Sequence, residues 1–411
     1  MPFVWLFILL IKLLFFVSES VSELENKLRI VKEWMDVNLM EINPSKCGVM
    51  DISPNLEEPF VIKYNGEVIP SVERYTYLGV EFNSKLDLDV MAEFRVGKGV
   101  AKVNALRPTL GNSGIPLEYK RMLVNSIVIP TVTYGTEVFG MSEKRMQALK
   151  KVVDSSITAI LNCRGYCRQR AYEELDLKAV AVKAAVSRAR AYEKWKTSRS
   201  LIRDLIATSV SFKSKNYTWS KATRVWLKCH KLESNGQIRR EVLYEYSKRL
   251  SKRDKSEISK FAKITSIGSG KLIRKLELNS CEGIGYLALT KIRTGSYPFV
   301  NRLVVSGRLS HNCINKCIFC GENTRENAEH VLLKCSAWNQ ERSEILQVEI
   351  KDLPEEVASR KINKILKSFL GGDWLASGRK PADSLALCAR FLSAIAKKRA
   401  TLVAAAIEAN L

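Results

Sequence analysis

Four side chains within one short stretch, Cys317, Cys320, His330 and Cys335, have the types and spacing of metal ligands, C-x2-C-x9-H-x4-C. Two cysteines two residues apart can put both sulfurs on one ion from a tight turn, and Gly321 directly after Cys320 favours such a turn. His330 and Cys335 bound a run, HVLLKC, that reads as a short helix and completes a tetrahedral set of the kind zinc prefers. Four protein ligands leave no open position for water, so the expected role of Zn2+ is structural. Cys313 and His311 lie close enough in sequence to leave the ligand choice open. In a knuckle of this size the ion supplies much of the local folding energy. The cations around it, Arg302, Arg308, Lys316, Arg325 and Lys334, are then candidates for phosphate contact.

The elements that must position this knuckle are mostly helical. From Ser22 to Asn38 the residues Leu24, Leu28, Val31, Met35 and Leu39 recur at three- and four-residue steps, which predicts an amphipathic helix with Ser22 as N-cap. Residues 40–50 then read as a strand. Asn65-Gly66 suits a type I′ turn and predicts a hairpin between Pro59 and Pro70. Tyr75 to Phe82, YTYLGVEF, reads as one further strand. Beyond residue 85, stretches rich in Ala, Lys, Arg, Glu and Leu predict helices over 88–110, 116–129, 142–162, 171–207 and 236–277, and the residues from Lys380 onward predict a terminal helix.

Composition points to a polyanionic partner. The 411 residues carry 66 Lys and Arg against 43 Asp and Glu, a formal net charge of +23, and 46% apolar content argues against wholesale disorder. RNA or DNA, bound in a salt-dependent way, is the first partner to expect, with a basic surface kept for solubility or an anionic membrane as alternatives. Arg188, Lys194 and Trp195 lie in a basic stretch with aromatics, and Lys213 and Lys215 accompany Phe212, Tyr217 and Trp219 in a composition suited to base stacking beside phosphate contacts. A solvated helix face and ordinary core packing are the competing readings. The irregular spread of the other cysteines favours a reducing compartment, nucleus or cytoplasm. Met1 to Val17, apolar except for Pro2 and Lys12, reads as a signal peptide or membrane anchor, or as a strand-rich piece of a larger fold. Its length and Lys12 count against a span.

Several segments together resemble one family, the reverse transcriptases of LINE-type, non-LTR retrotransposons, from the end of the palm to the C-terminus. Trp34, Ile42, Asn43 and Lys46 match a helix ending in Trp that leads into a strand of the type G-x-x-I-N-x-x-K-T. Tyr77, Leu78 and Gly79 match the Y-L-G primer-grip strand, and Pro130, Tyr134, Gly135 and Phe139 match a stretch of the thumb. LTKIRTGSYPFVNRL followed by the knuckle resembles the C-terminal region. The resemblance implies an α+β N-terminal remnant of a polymerase palm followed by a mainly α-helical thumb and a C-terminal region with a small zinc knuckle. The corresponding segments are an apolar N-terminal piece at 1–21 (a decayed palm strand or an anchor), a palm remnant at 22–85, a thumb-like helical region at 86–210, a basic helical linker at 211–300, the knuckle region at 301–340 and a helical tail at 341–411. It also implies nucleic-acid contact at Lys46 and at Tyr77, Leu78 and Gly79, although for Lys46 a solvated lysine at a strand start is the better account.

The chain departs from the family at the catalytic motif. The family expects Mg2+ held by paired carboxylates just before the first helix, where this sequence has Ile11, Lys12 and Leu13, and no adjacent Asp-Asp pair occurs anywhere. Asp87 and Asp89 fall after the Y-L-G segment, at a loop or a helix N-terminus. The chain is therefore expected to be a truncated fragment that binds nucleic acid without polymerising DNA. The alternatives are an active RNA-directed DNA polymerase completed by an upstream part of a longer frame, and a basic protein anchored through residues 1–17. Neither nuclease type of these elements is visible; Pro381-Ala-Asp383 is a poor fit to the restriction-like acidic motif, and too few residues follow Cys335 for that domain.

Overall fold

The structure is a computed structural model that describes residues 4–8, 14–18, 20–52, 61–199, 201–207, 218–229, 270–347, 355–371 and 381–409. Lys213, Lys215 and most of the helix expected over 236–277 lie outside the described residues. The chain is α+β, with long helices and a few short strands. Its first part holds β1 (Val4–Ile8), β2 (Leu14–Ser18), α1 (Val21–Val37), β3 (Gly48–Asp51), β4 (Ile62–Tyr64), β5 (Glu67–Ile69), β6 (Arg74–Tyr77) and β7 (Val80–Asn83). The main helices that follow are α2 (Leu88–Gly111), α3 (Leu117–Leu123), α4 (Ile129–Thr133), α5 (Thr136–Phe139), α6 (Glu143–Leu161), α7 (Arg168–Glu174), α8 (Val180–Lys196), α9 (Leu201–Ala207) and α10 (Trp219–Cys229). The last are α11 (Lys271–Glu277), α12 (Gly283–Arg293), α13 (Val300–Val305), α14 (Glu355–Phe369) and α15 (Pro381–Glu408). Two compact units result, one from residues 1–99, 132–149 and 184–236, the other from 100–131, 150–183 and 237–411.

In the first unit β1 pairs antiparallel with β2 on one side and β3 on the other, so the apolar N-terminal segment contributes two strands. Among the described residues no helix is long and apolar enough to cross a membrane. Helix α1 starts earlier than its apolar pattern suggests: Ser20, not Ser22, is the N-cap, and its hydroxyl accepts the Glu23 N–H at 3.2 Å. The helix buries Leu24, Leu28 and Met35 against Val49, Ile62 and Ile69. Pro44 begins a 3-10 turn, so β3 starts only at Gly48. Asn65 and Gly66 form the expected two-residue turn, both with positive φ. YTYLGVEF is not one strand. Leu78 (φ 45°) and Gly79 (φ 78°) make a second such turn, and β6 and β7 pair across it, closing at Tyr77 and Val80.

In the second unit α12 packs along α15 and together they carry much of the core, with Tyr286, Leu289, Leu385, Phe391 and Leu392 buried. Gly285 permits their approach, because a Cβ there would lie 1.9 Å from the Ala389 carbonyl oxygen. Arginine–carboxylate pairs penetrate this interior. Glu174 is buried against Arg293 at 2.7 Å, while Arg274 bonds Glu118 at 2.9 Å and the Glu174 carbonyl. Among the described residues Lys120 and Glu277 are buried without such a partner. Burial lowers the Lys120 pKa to about 8, against an opposing pull from Glu277 and with help from Lys291. Burial raises that of Glu277 to about 7, opposed by the Leu117 N–H and Lys120 and reinforced by Glu118.

These two groups predict a trough in stability near neutrality. Between the ordinary carboxylate range and pH 7 folded Glu277 binds more protons than the unfolded chain, so its contribution falls as pH rises; Lys120 recovers stability as pH rises above about 8. Replacing both, Glu277→Gln with Lys120→Met, should flatten the profile and raise the urea midpoint at pH 7.5. Superimposable midpoints for the two proteins from pH 5 to 10 would refute this assignment.

Candidate metal centre and basic surface

The knuckle is built by two backbone turns. Cys317 donates its N–H to the Glu322 carbonyl (3.0 Å) and accepts the Gly321 N–H (2.9 Å), which folds residues 317–322 back on themselves. Gly321 has φ 78°, and a Cβ there would meet nothing, so backbone conformation alone favours glycine. The second turn is π-helical, His330–Lys334. Asn327 Oδ1 accepts its first N–H at 2.8 Å, and the Cys335 N–H returns to the His330 carbonyl at 2.6 Å. These turns bring together the four residues singled out from spacing. Cys317 Sγ lies 3.9 Å from Cys335 Sγ, Cys320 Sγ lies 3.5 Å from His330 Nε2, and all four ligand atoms fall within 4.8 Å of one another. The set can hold a metal ion. Hydrogen bonding from Cys335 holds the Cys317 thiol far below its usual range, at about 3, and the same contact pushes Cys335 up. Cys313 is buried in a separate apolar cluster with Val300 and Leu303, and His311 is exposed, so neither belongs to the set.

Around the ligands lies a layer of buried charge that spacing did not reveal. Arg342 donates to the carbonyls of Cys335 (2.6 Å) and Leu332 (3.1 Å), fixing the end of the π turn. Glu326, fully shielded between the two turns, accepts the Val300 N–H at 2.7 Å and pairs with Arg399 of α15. Arg399 also donates to the Pro298 carbonyl at 2.8 Å and lies 4.3 Å over the ring of Phe319, between the first two cysteines. Trp338 packs on Phe319 with centroids 5.4 Å apart and is completely buried. The knuckle is therefore part of the unit's core, since Cys317 and Cys335 share a buried cluster with Leu289, Phe369 and Phe391. Glu326 sits in a run, ENTRENAEH, whose polarity reads as a solvated loop; only the later Arg399 gives it a partner.

The expected nucleic-acid contacts divide. Lys316 and Arg325 of the knuckle are exposed, as is Arg308, and Lys334 is exposed but paired with Glu329 at 2.6 Å. Arg302 turns away from phosphate: its guanidinium bonds the carbonyls of Gly295 and Gly165 and the Cys163 sulfur. Arg188 is buried rather than surface-lying. It donates to the Gly140 carbonyl (2.6 Å), the Thr223 hydroxyl (2.9 Å) and the Trp219 carbonyl (3.1 Å), a clamp that the basic composition of α8 disguises. Lys194 is exposed, and Trp195 is half-buried with its ring 5.1 Å from that of Trp219. Lys46 is exposed at the end of its 3-10 turn. Tyr77 is half-buried at the end of β6, while Leu78 and Gly79 project as the turn, whose carbonyls accept from Tyr134 and Arg95. Asp89 stands at the start of α2, where Lys144 (2.8 Å) and Arg145 (3.0 Å) hold its carboxyl below the usual range.

No family model matches the chain, and no curated protein matches it. The metal-binding geometry gives a direct test. Elemental analysis of the purified chain should find a single tightly held transition-metal ion, and Cys335→Ser should lose it and melt at a lower temperature. Binding of the ion to structural sites of this kind is worth on the order of 10 kcal/mol in small modules. Here the buried surroundings should leave the rest of the unit folded. A metal-free chain with the same melting temperature before and after addition of metal would rule the centre out.

Proposed function

We propose that the chain is a nucleic-acid-binding part of a LINE-type, non-LTR retrotransposon reverse transcriptase, stapled by structural zinc and without polymerase activity of its own. The observation that carries the reading is the placing of exposed Lys316 and Arg325 directly on a Cys3His centre, in a chain of net charge +23. The order of the Y-L-G, Pro-x-x-x-Tyr-Gly and knuckle motifs along the chain supports the family.

Zinc fits the ligand chemistry. Zinc–sulfur bonds of about 2.3 Å and zinc–nitrogen bonds of about 2.0 Å give tetrahedral edges of about 3.8 Å between sulfurs and about 3.5 Å between sulfur and nitrogen. One sulfur pair, Cys317–Cys335, is 3.9 Å apart and one sulfur–nitrogen pair, Cys320–His330, 3.5 Å, and all four ligand atoms lie within 4.8 Å of one another. When bound, the ion cross-links the 317–322 turn to the π turn, and with every position filled it activates no water. Around it the chain's own residues do the positioning: Arg342 fixes the backbone of Cys335, and Arg399 holds Glu326 and the ring of Phe319. Phosphates are met by the exposed cations.

Two-metal phosphoryl transfer needs carboxylates gathered at one point. The sequence has no adjacent Asp-Asp pair, and Asp89 is engaged by Lys144 and Arg145. Fluorescence anisotropy with single-stranded RNA should show affinity that falls steeply with salt. Lys316→Gln combined with Arg325→Gln should reduce the log–log slope by about 1.4, or about 0.7 for each lost phosphate contact. A salt-independent affinity would reject the electrostatic reading. Primer-extension assays with Mg2+ or Mn2+ should give no product, and measurable nucleotide incorporation would show that polymerase activity is retained.

A further inference from the structure

Arg342 opens a π turn, Arg342–Leu346, directly after the metal ligands in sequence, and only 6% of it is exposed. Its guanidinium donates to four acceptors: the carbonyls of Cys335 (2.6 Å), Leu332 (3.1 Å) and Val331 (3.5 Å) and the side-chain oxygen of Asn339 (2.6 Å). These bonds satisfy its N–H groups, but every acceptor is neutral, so they leave its charge unbalanced. Burial draws the Arg342 pKa down, and the groups that pull it back up are the Cys335 sulfur and, after it, Glu341. Glu341 also serves Lys398, at 3.5 Å. The other buried arginine behind the knuckle, Arg399, has a carboxylate of its own in Glu326.

A ligating cysteine gives up its proton, so a divalent ion in this set meets three thiolates and one neutral imidazole. The closed centre then carries one net negative charge. Cys317 and Cys335 are fully buried and His330 nearly so, and water therefore screens that charge poorly. A buried anion and a buried cation are each costly alone and tolerable together. Arg342 is bonded to the backbone of one ligand and is drawn by that ligand's sulfur, so its charge lies where the excess of the centre falls.

We propose that Arg342 is the counter-charge of the metal centre: its guanidinium balances the excess negative charge of a divalent ion held by three thiolates, and thereby sets how tightly that ion is bound. The inference rests on the metal reading above and adds to it a residue outside the ligand set, in a role separate from its grip on the Cys335 carbonyl. The coupling is reciprocal, since the ion favours Arg342 in its buried place as much as Arg342 favours the ion.

The test uses the full chain and competition for Zn2+ with a chromophoric chelator at fixed pH. Arg342→Gln still donates hydrogen bonds but is neutral, and it should bind Zn2+ about 10- to 100-fold more weakly, the range expected when a group supporting a metal ligand is lost. Arg342→Lys keeps the charge without the planar fork and should recover most of that affinity. Lys397→Gln, which removes an exposed charge, should stay near wild type because solvent screens it. Co2+ in place of Zn2+ should give the same tetrahedral absorption in the wild type and in Arg342→Gln, as expected if the ligands keep their places. Equal losses in the glutamine and lysine variants, an equal loss with Lys397→Gln, a Co2+ spectrum altered by Arg342→Gln, or an unchanged affinity would each overturn the role of the charge. A wild type that binds neither ion removes the metal reading itself, so the two failures are distinguishable. Should Arg342→Gln not fold, the lysine variant decides alone: Zn2+ affinity within about tenfold of wild type supports the balance of charge, and a larger loss overturns it.

Discussion

A carboxylate shut away from water must find a cation or give up its proton, and Glu326 is shut away completely. Its partner is Arg399, and the pair fixes a surprising amount of the second unit. One oxygen of Glu326 caps the start of α13 through the Val300 N–H. The guanidinium that neutralises it reaches the Pro298 carbonyl and covers Phe319, the residue between two metal ligands. Helix α15, the knuckle and the segment before α13 are thus tied through one ion pair, whose breakage would strand a buried charge at a cost of about 3–5 kcal/mol. The ligand set depends on this frame, since Arg342 fixes the backbone of Cys335 and Arg399 covers Phe319 between two of the ligands.

Much of the local structure was legible because its cause is local. The knuckle ligands follow from spacing and from Gly321, the hairpin at Asn65–Gly66 from the demand for positive φ, and α1 from the recurrence of Leu24, Leu28 and Met35. Even the capping error is instructive. Ser20 and Ser22 both precede the apolar face and both have a glutamate three residues on, Glu23 and Glu25, so the capping pattern alone does not choose between them. Leu78 concealed the second hairpin, because leucine gives no sign of a left-handed turn and the flanking β-branched and aromatic residues read as continuous strand.

The rest was not legible because its cause is distant. Arg188 belongs by composition to a basic helix, yet it is drawn inward by carbonyls and a hydroxyl from two other segments. Arg302 is consumed in the same way by Gly165 and Gly295. A count of positive charge treats these arginines and exposed Lys316 or Arg325 alike, although their guanidinium donors are already spent. The large positive charge is therefore distributed over two jobs, with part of the arginine population serving as internal cross-links between backbone carbonyls.

The Glu326–Arg399 pair also imposes an order on events as the chain is made. The two residues are 73 positions apart, so at about 5–20 residues per second the carboxylate waits several seconds on the ribosome before its arginine emerges. During that interval Cys317, Cys320, His330 and Cys335 are already available, and capture of an ion would hold the two turns together while Glu326 is still wet. The four ligand residues thus leave the ribosome before the arginine that neutralises Glu326 and covers Phe319.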